Sequence, residues 1–268
     1  MVYFADAIKE EILLKNEDLS NWIRFCLVDT DDYTKFTGID RGLFTLKISK
    51  RTCKNWAFDL GDFLGFEQSL GRRIILEITR EEFELALGVY AGRSYEEKVL
   101  RDGEPTVLIH STSWWSWGCI EESGFLKSWH EVKREFVDFE GEPIGAQLGD
   151  LVDYRDFIMF SDGHVMAEVI VASKQKGYIE MDIHQEYETG ARLYFDAEAM
   201  ARDGLLIRDG AHLPKVKDSL KVADYLIWVS TWVELGLVSQ VSTPAEFTNA
   251  SNARFDALFG ERFGFLAK

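Results

Sequence analysis

Apolar and polar positions alternate with two different periods along this chain, which predicts a mixed α+β protein. Val107 and Ile109 follow the period of two that is typical of a short buried strand. Residues 193–195 and 156–161 indicate two further strands, and residues 167–177 indicate a helix that ends at a glycine. Strands and helices therefore follow each other throughout the second half.

The first hundred residues predict a separate unit of mixed character. Apolar spacing predicts helices near residues 4–13 and, after a Ser20 cap, near residues 22–26, whereas residues 43–49 and 72–79 are typical of strands. Thr79 and Glu82 form a capping-box pattern that opens a helix ending near Gly92. A second such pattern at residues 94–97 predicts a short helix that ends at the turn of residues 102–105. We place a domain boundary at that turn, between a recognition unit of residues 1–102 and a second domain of residues 103–268.

Capping residues and turn residues mark the predicted ends of helices and strands in the second half. Ser111, Thr112 or Ser113 can cap a helix that Gly124 ends in a left-handed conformation. A second helix, of residues 197–202, begins at an Asp196 cap. Asp-Gly at residues 209–210 predicts a hairpin turn between residues 205–207 and 211–213. Residues 127–153 fit a flap, and residues 245–268 predict a closing helix.

Composition and charge restrict the function classes. The 268 residues are 46% hydrophobic, enough for a large core, and the net charge of −16 weighs against a broad nucleic-acid surface, although an acidic surface can bind a basic protein partner. The basic residues between 41 and 54 are read as a solvated edge strand or as a basic stripe beside Trp56. No segment is apolar enough for a membrane span, so we expect no membrane partner. Three unevenly spaced cysteines predict neither disulfides nor a metal site, and we expect a reducing, cytoplasmic setting.

Three tryptophans stand within four residues at 114, 115 and 117. At 100° per residue, Trp114 and Trp117 share a helix face, which predicts that both pack into the core. Trp115 points elsewhere and is expected to line a pocket or an interface.

Two segments carry a resemblance to a known family. The order His110-Ser-Thr, then a helix, then Gly-Phe-Leu at 124–126, resembles the first motif of the ADP-ribosyltransferase superfamily. Residues 191–220 look like the late segment of its tRNA 2′-phosphotransferase branch, and the intervening pieces arrive in the family's order. The resemblance covers about residues 105–222. It implies a split antiparallel β core with flanking helices and NAD as co-substrate.

The resemblance also implies roles for individual residues. His110 would contact a ribose of NAD with support from Thr112, Ser161 would close a strand beneath the nicotinamide, and Tyr154 would stack on that ring. Basic residues would contact phosphates. The implied catalytic residues are His110, Tyr154, Arg155 and Arg208, and the implied NAD-binding residues are His110, Ser111, Thr112, Ser161, Lys174 and Lys176.

The chain departs from the family at two places. The Arg-His pair of the phosphotransferase branch is absent, and lysines replace the arginines of its basic turn. The position of the late-strand glutamate falls near Gly210, where Asp209 is the adjacent carboxylate. The sequence thus predicts NAD-dependent transfer of ADP-ribose to a macromolecule, with RNA or another nucleic acid slightly favoured over protein. An RNA 2′-phosphotransferase and an inactive binding module of the same fold stay open as alternatives.

Overall fold

The structure is a computed structural model that describes residues 1–5, 19–136 and 142–263. The predicted helix near residues 4–13 lies largely outside these residues, and so do residues 264–268 of the predicted closing helix, which ends earlier, at Phe259. Fifteen strands and eight α-helices occur in the described part. The strands are β1 Val2–Phe4, β2 Trp22–Val28, β3 Lys35–Asp40, β4 Leu43–Ser49, β5 Arg73–Glu77, β6 Val107–Thr112, β7 Phe125–Lys127, β8 Phe157–Ile158, β9 Tyr187–Glu188, β10 Ala191–Asp196, β11 Leu206–Ile207, β12 Lys215–Lys217, β13 Ser219–Lys221, β14 Leu226–Thr231 and β15 Val241–Ser242. The helices are α1 Trp56–Ser69, α2 Arg80–Tyr90, α3 Trp114–Ser123, α4 Trp129–Glu135, α5 Met166–Lys176, α6 Ala197–Arg202, α7 Val222–Tyr225 and α8 Pro244–Phe259.

The chain divides into two compact units. The first comprises Met1–Glu97 with two short later segments, Leu148–Leu151 and Ile207–Pro214. The second comprises Lys98–Gln147, Val152–Leu206 and Lys215–Lys268. Each unit has its own sheet and its own buried apolar residues.

A five-stranded sheet with the order β1-β5-β2-β4-β3 forms the centre of the first unit. Its first four strands run parallel, and β3 pairs antiparallel with β4. Ile23 lies opposite Phe44 on one side and Ile74 on the other, and all three are buried. Strands that are buried on both faces consist of nearly continuous apolar residues. The central strands of this sheet therefore lack the apolar–polar alternation of sheets that expose one face to solvent.

The helix predicted near residues 22–26 is wrong, because these residues form β2. Trp22, Phe25 and Cys26 have helical spacing, but Ile23 and Arg24 between them are also buried. A central strand buries both of its faces, so its apolar run fits either period. The β-branched and aromatic side chains of this run favour the strand.

Helix α2 confirms the capping box at Thr79. The Thr79 hydroxyl accepts a hydrogen bond from the Glu82 amide, and the Glu82 carboxylate accepts one from the Thr79 amide. The second predicted box at residues 94–97 opens no helix. There the Ser94 hydroxyl accepts a hydrogen bond from the Glu96 amide, two residues along the chain. This bond closes a local turn, whereas a helix N-cap would bond to the amide three residues along.

The basic residues between 41 and 54 do not form an edge strand, because β4 lies between β2 and β3. Among the described residues, four of these five, all except Lys54, have an acidic partner within the first unit. Lys47 Nζ lies 2.9 Å from Asp40, Lys50 Nζ lies 2.6 Å from Glu82, and Arg51 lies 2.8 Å from Asp31. This pairing weakens the alternative of a basic stripe.

The second unit contains a three-stranded antiparallel sheet with the order β14-β10-β6. A smaller sheet has the order β11-β12-β8, and β7 pairs with β13 and β9 with β15. The fold is therefore α+β with several antiparallel sheets. The predicted caps are confirmed: the Ser113 hydroxyl accepts from the Ser116 amide, Gly124 ends α3 at φ 75°, and the Asp196 carboxylate accepts from the Ala199 amide.

The hairpin predicted at residues 209–210 is wrong. Residues 211–213 form no strand. The strand hydrogen-bonded to β11 is β12, which begins at Lys215 after a longer connection and also pairs with β8. The Asp209 carboxylate accepts hydrogen bonds from the Ala211 and His212 amides, which bends the backbone locally. Gly210, at φ 71°, lies so close to α1 that a Cβ atom there would be 2.0 Å from the Asp59 carbonyl oxygen. This contact with α1 replaces the predicted two-residue turn.

Of the two tryptophans predicted to pack into the core, Trp117 does and Trp114 does not. Trp117 is 8% exposed, whereas Trp114 is 44% and Trp115 68% exposed. Within the described residues, the helices are all too short or too polar to cross a lipid bilayer.

Candidate functional site

His110 occupies the middle of β6 and is half-buried. The β6–β10 register places it opposite Leu193, and its ring lies edge-on to Phe160 with centroids 6.2 Å apart. Its Nδ1 atom lies 3.0 Å from the Met159 carbonyl oxygen. Because a carbonyl only accepts, Nδ1 carries the proton, and the Nε2 of the neutral ring is an acceptor.

The environment keeps this imidazole neutral. Burial lowers the pKa of His110 to about 4, and the positive charge of Lys174 lowers it further, against the opposing effect of the hydrogen bond to Met159. At neutral pH the ring is thus an uncharged hydrogen-bonding group. Its Nε2 atom is suited to accept a hydrogen bond from a hydroxyl.

Lys174 is the one predicted basic residue whose charge acts on His110. It lies near the end of α5, before Gly177 stops that helix at φ 77°. Its side chain is exposed, yet the surrounding protein lowers the pKa of its ammonium. Within the described part of the chain it forms no ion pair, and neither does the exposed Lys176. Lys174 is therefore an exposed cation within electrostatic reach of the imidazole and is available to an anionic ligand.

Thr112 lies two residues beyond His110, on the same face of β6. The end of the strand is held close to Gly190, where an added Cβ atom would come within 1.8 Å of the Thr112 carbonyl oxygen. Gly190 thus permits a backbone approach that any other residue would obstruct. It fixes the end of the strand that carries His110 and Thr112.

Ser111, although predicted to bind NAD, lies on the opposite face of β6 from His110 and Thr112. Its hydroxyl donates a hydrogen bond to Glu168, and it is buried with that carboxylate. Glu168 also accepts from Tyr187 Oη at 2.6 Å and from Arg192 Nη1 at 3.2 Å. Burial and the Glu168 charge raise the pKa of the Tyr187 hydroxyl, which stays protonated as a donor.

Arg192 is the centre of this network and is fully buried. Its guanidinium donates to Glu168, to the Gly163 carbonyl oxygen at 2.8 Å and to Tyr194 Oη at 3.2 Å. Sequence reasoning missed both Arg192 and Glu168. A single charged residue in the apolar run of residues 191–195 was the available signal, because a buried charge needs a partner of opposite sign.

Ser161 also lies on the face opposite His110. It pairs with Ile109 in an isolated bridge, and directly opposed residues in an antiparallel pair share a face. Within the described residues its buried hydroxyl has no hydrogen-bond partner. The predicted grouping of Ser111 and Ser161 with His110 is thus not the arrangement of this sheet.

Tyr154 and Arg155 are engaged in other contacts. Tyr154 is 4% exposed, and the Lys215 ammonium lies 4.3 Å from its ring centroid, so the ring is not open for stacking. Arg155 lies 2.6 Å from Glu142 and 5.3 Å from the Trp129 ring centroid. Both side chains are thus engaged by protein contacts in place of the predicted NAD contacts.

Arg208 and Asp209 belong to the first unit and are buried there. The Arg208 guanidinium donates to the Glu97 carbonyl oxygen at 3.0 Å. The Asp209 carboxylate lies 2.9 Å from His212 Nδ1. Arg208 is thus occupied by protein, and Asp209 does not replace the late-strand glutamate.

No family model, curated protein or solved structure matches this chain. Among the described residues, no group of three or more histidine, cysteine, aspartate or glutamate side chains is arranged to hold a metal ion. The candidate site therefore consists of His110, Thr112 and Lys174.

Proposed function

We propose that the second unit binds NAD and transfers its ADP-ribose to a macromolecular acceptor. The observation that carries the proposal is the neutral imidazole of His110, held through its Nδ1 hydrogen bond to Met159, together with the exposed ammonium of Lys174. The charge of Lys174 acts on that imidazole and has no ion-pair partner among the described residues. This pair fits a dinucleotide, because one group accepts from a ribose hydroxyl and the other attracts a phosphate. The resemblance of residues 105–222 to ADP-ribosyltransferases supports the same assignment.

The roles of the chain's own residues follow from this geometry. His110 orients the ribose through Nε2, and Thr112 extends the polar surface along the same strand face. Lys174 contributes the positive charge that acts on this imidazole. When NAD is bound, departure of nicotinamide develops positive charge on the ribose. Binding and positioning are therefore the main contributions of these residues.

A binding module without catalysis is the second candidate. The observation that favours it is Asp209, the carboxylate adjacent to the expected glutamate position, which is fully buried and bonded to His212. Such a module would bind NAD and leave its glycosidic bond intact. An RNA 2′-phosphotransferase is the other alternative, and it would need arginine contacts from positions that do not match the family.

Calorimetry with NAD at neutral pH tests the proposal. We expect His110→Gln to weaken binding about 2- to 10-fold, the effect of one neutral hydrogen bond, and Lys174→Ala about 10- to 150-fold, the effect of a charge-assisted contact. Lys217→Ala is the matched control, because Lys217 is also an exposed lysine of the second unit. Equal effects of the two lysine variants would contradict the assignment of Lys174.

Labelled NAD separates transfer from binding alone. Incubation with total RNA, DNA or lysate protein should yield label on the acceptor and free nicotinamide, and less of both with His110→Gln. Binding without nicotinamide release would favour the module. Removal of an RNA 2′-phosphate with a cyclic phosphate product would favour the phosphotransferase, and absence of NAD binding would overturn the proposal.

A further inference from the structure

A cavity of about 480 Å³ lies in the first unit, at the carboxyl ends of β1 and β5. Its lining consists of Phe4 and Ala5 at the end of β1 and of residues 76–81, which lead from β5 into α2. Because β1 and β5 run parallel, their carboxyl ends meet at one edge of the sheet. Crevices at this edge of open α/β sheets are common ligand sites, and the volume is that of a small-molecule site.

One part of the lining is apolar. Phe4, Ala5 and Ile78 contribute half-buried apolar side chains to it. The Phe4 ring is held in place, because Phe83 lies edge-on to it with centroids 5.3 Å apart and the Arg80 guanidinium lies 4.5 Å from its centroid. An apolar group of a ligand would therefore lose water against a preformed surface.

The other part of the lining carries two unpaired charges, on Arg80 and Glu81. Both residues are exposed, and within the described part of the chain neither side chain forms an ion pair or a hydrogen bond. Adjacent residues of a helix do not face each other, which is why the two charges do not form a pair. Glu77 differs, since its carboxylate accepts from Arg24 at 3.0 Å and from the Cys26 thiol at 3.1 Å. One cation and one anion are thus available to a ligand.

The side chains, and not the backbone, must supply the polar contacts. The capping box of Thr79 and Glu82 already bonds to amides at the start of α2. A carboxylate matches the planar fork of Arg80, which can donate two parallel hydrogen bonds to it. An ammonium group matches Glu81. A ligand with only one of these charges would leave the other side chain unpaired.

We infer that this cavity binds a free α-amino acid with an apolar side chain, such as leucine. Such a molecule has a carboxylate for Arg80, an ammonium group for Glu81 and an apolar side chain for Phe4 and Ile78, all on one carbon atom. The inference goes beyond the proposed function and does not depend on it, because every lining residue belongs to the first unit.

Calorimetry on the full chain tests the inference with ligands of matched shape. Isocaproate is leucine without its ammonium group, and isoamylamine is leucine without its carboxylate. We expect L-leucine to bind and each analogue to bind about 5- to 20-fold more weakly, between the effects of an exposed ion pair and of a buried charge-assisted hydrogen bond. L-serine keeps both charges but lacks the apolar side chain, and it should also bind more weakly than L-leucine.

Single variants assign the two charges. Arg80→Ala should weaken L-leucine binding about 5- to 20-fold and leave isoamylamine binding unchanged, whereas Glu81→Gln should weaken L-leucine and leave isocaproate unchanged. Arg93→Ala and Glu84→Gln are the matched controls, because both residues are exposed in the same unit and lie outside the lining. Ile78→Trp keeps both charges but fills the cavity, so it should abolish L-leucine binding.

The inference is overturned if L-leucine does not bind, or if it binds no more tightly than isocaproate. An Arg80→Ala variant that binds L-leucine as the Arg93→Ala control does would overturn it as well. NAD calorimetry keeps the two proposals apart. Arg80→Ala should bind NAD like the wild type, so failure of the amino-acid site leaves the proposed function standing, and a chain that binds L-leucine without binding NAD fails only the proposed function.

Discussion

The low pKa of His110 predicts that replacing this residue changes how stability depends on pH. In the folded chain the imidazole has a pKa of about 4, against 6.5 for an unperturbed histidine. Between pH 6.5 and pH 4 the His110 imidazole binds a proton in the unfolded chain but stays neutral in the folded chain. The contribution of neutral His110 to the free energy of unfolding is therefore fully present above pH 6.5 and is lost as the pH falls towards 4. His110→Gln removes this titration, and its amide can still donate to the Met159 carbonyl.

The size of the effect follows from the two pKa values. Between pH 7.5 and pH 5, protonation favours the unfolded chain by about 2 kcal/mol and the folded chain by less than about 0.1 kcal/mol. The wild-type chain should therefore lose about 2 kcal/mol more of its free energy of unfolding than the His110→Gln variant over this interval. Carboxylates that titrate in the same range contribute equally to both chains and cancel.

Urea unfolding followed by circular dichroism at the two pH values measures this difference. His184→Gln is the control, because His184 is exposed in the same unit and should leave the pH dependence of the wild type in place. If the wild type and His110→Gln lose equal stability, the imidazole is not held neutral by its surroundings. The argument that Nε2 is an acceptor at neutral pH would then fail.

Three further predictions concern the rest of the fold. Glu168→Gln leaves the buried Arg192 without its counter-charge and should lower the free energy of unfolding by about 3–5 kcal/mol, an effect that a compensating change at Arg192 should reduce. Gly210→Ala should destabilise the chain far more than Gly92→Ala, because both glycines have a positive φ but only Gly210 would bring a Cβ atom against backbone; comparison of urea midpoints checks this. Burial raises the pKa of two of the three thiols to about 11 and about 12, so a thiol reagent at pH 8 should modify Cys119 first and the other two only after unfolding.

Several local signals that are complete within a few residues were predictable from the sequence, although the pattern at residues 94–97 opens no helix. The capping box of α2 and the Ser113 cap of α3 each satisfy backbone amides within three residues, so no distant contact is needed. The same holds for Gly124, whose left-handed conformation ends α3. Secondary structure in the second half was largely predicted for this reason.

Elements that depend on distant contacts were not predictable in this way. Residues 22–28 satisfy both the helical and the strand period, and the choice is made by β4 and β5 on either side. Asp209 and Gly210 have the composition of a hairpin turn, but contact with the first turn of α1 determines their conformation. These segments are separated from their partners by 21 residues (Ile23 and Phe44), 51 residues (Ile23 and Ile74) and 151 residues (Gly210 and Asp59), so a local pattern does not include the partners.

The candidate site depends on a distinction that the sequence contains only in part. A strand period of two places His110 and Ser111 on opposite faces, so their adjacency in the motif does not make them one site. The sequence does not indicate which face of β6 is covered by other protein segments, because apolar residues flank both faces. The closed face is the one on which Arg192 and Glu168 lie, because their buried charges must be paired. Glu168 is distant from Ser111 in the chain, and it accepts the Ser111 hydrogen bond. Ser111 is therefore not part of the candidate site, but its hydrogen bond to Glu168 holds β6 on the face opposite His110. A strand held by a charge network on one face keeps its register, and His110 on the other face is positioned by that anchorage as much as by its own hydrogen bond to Met159.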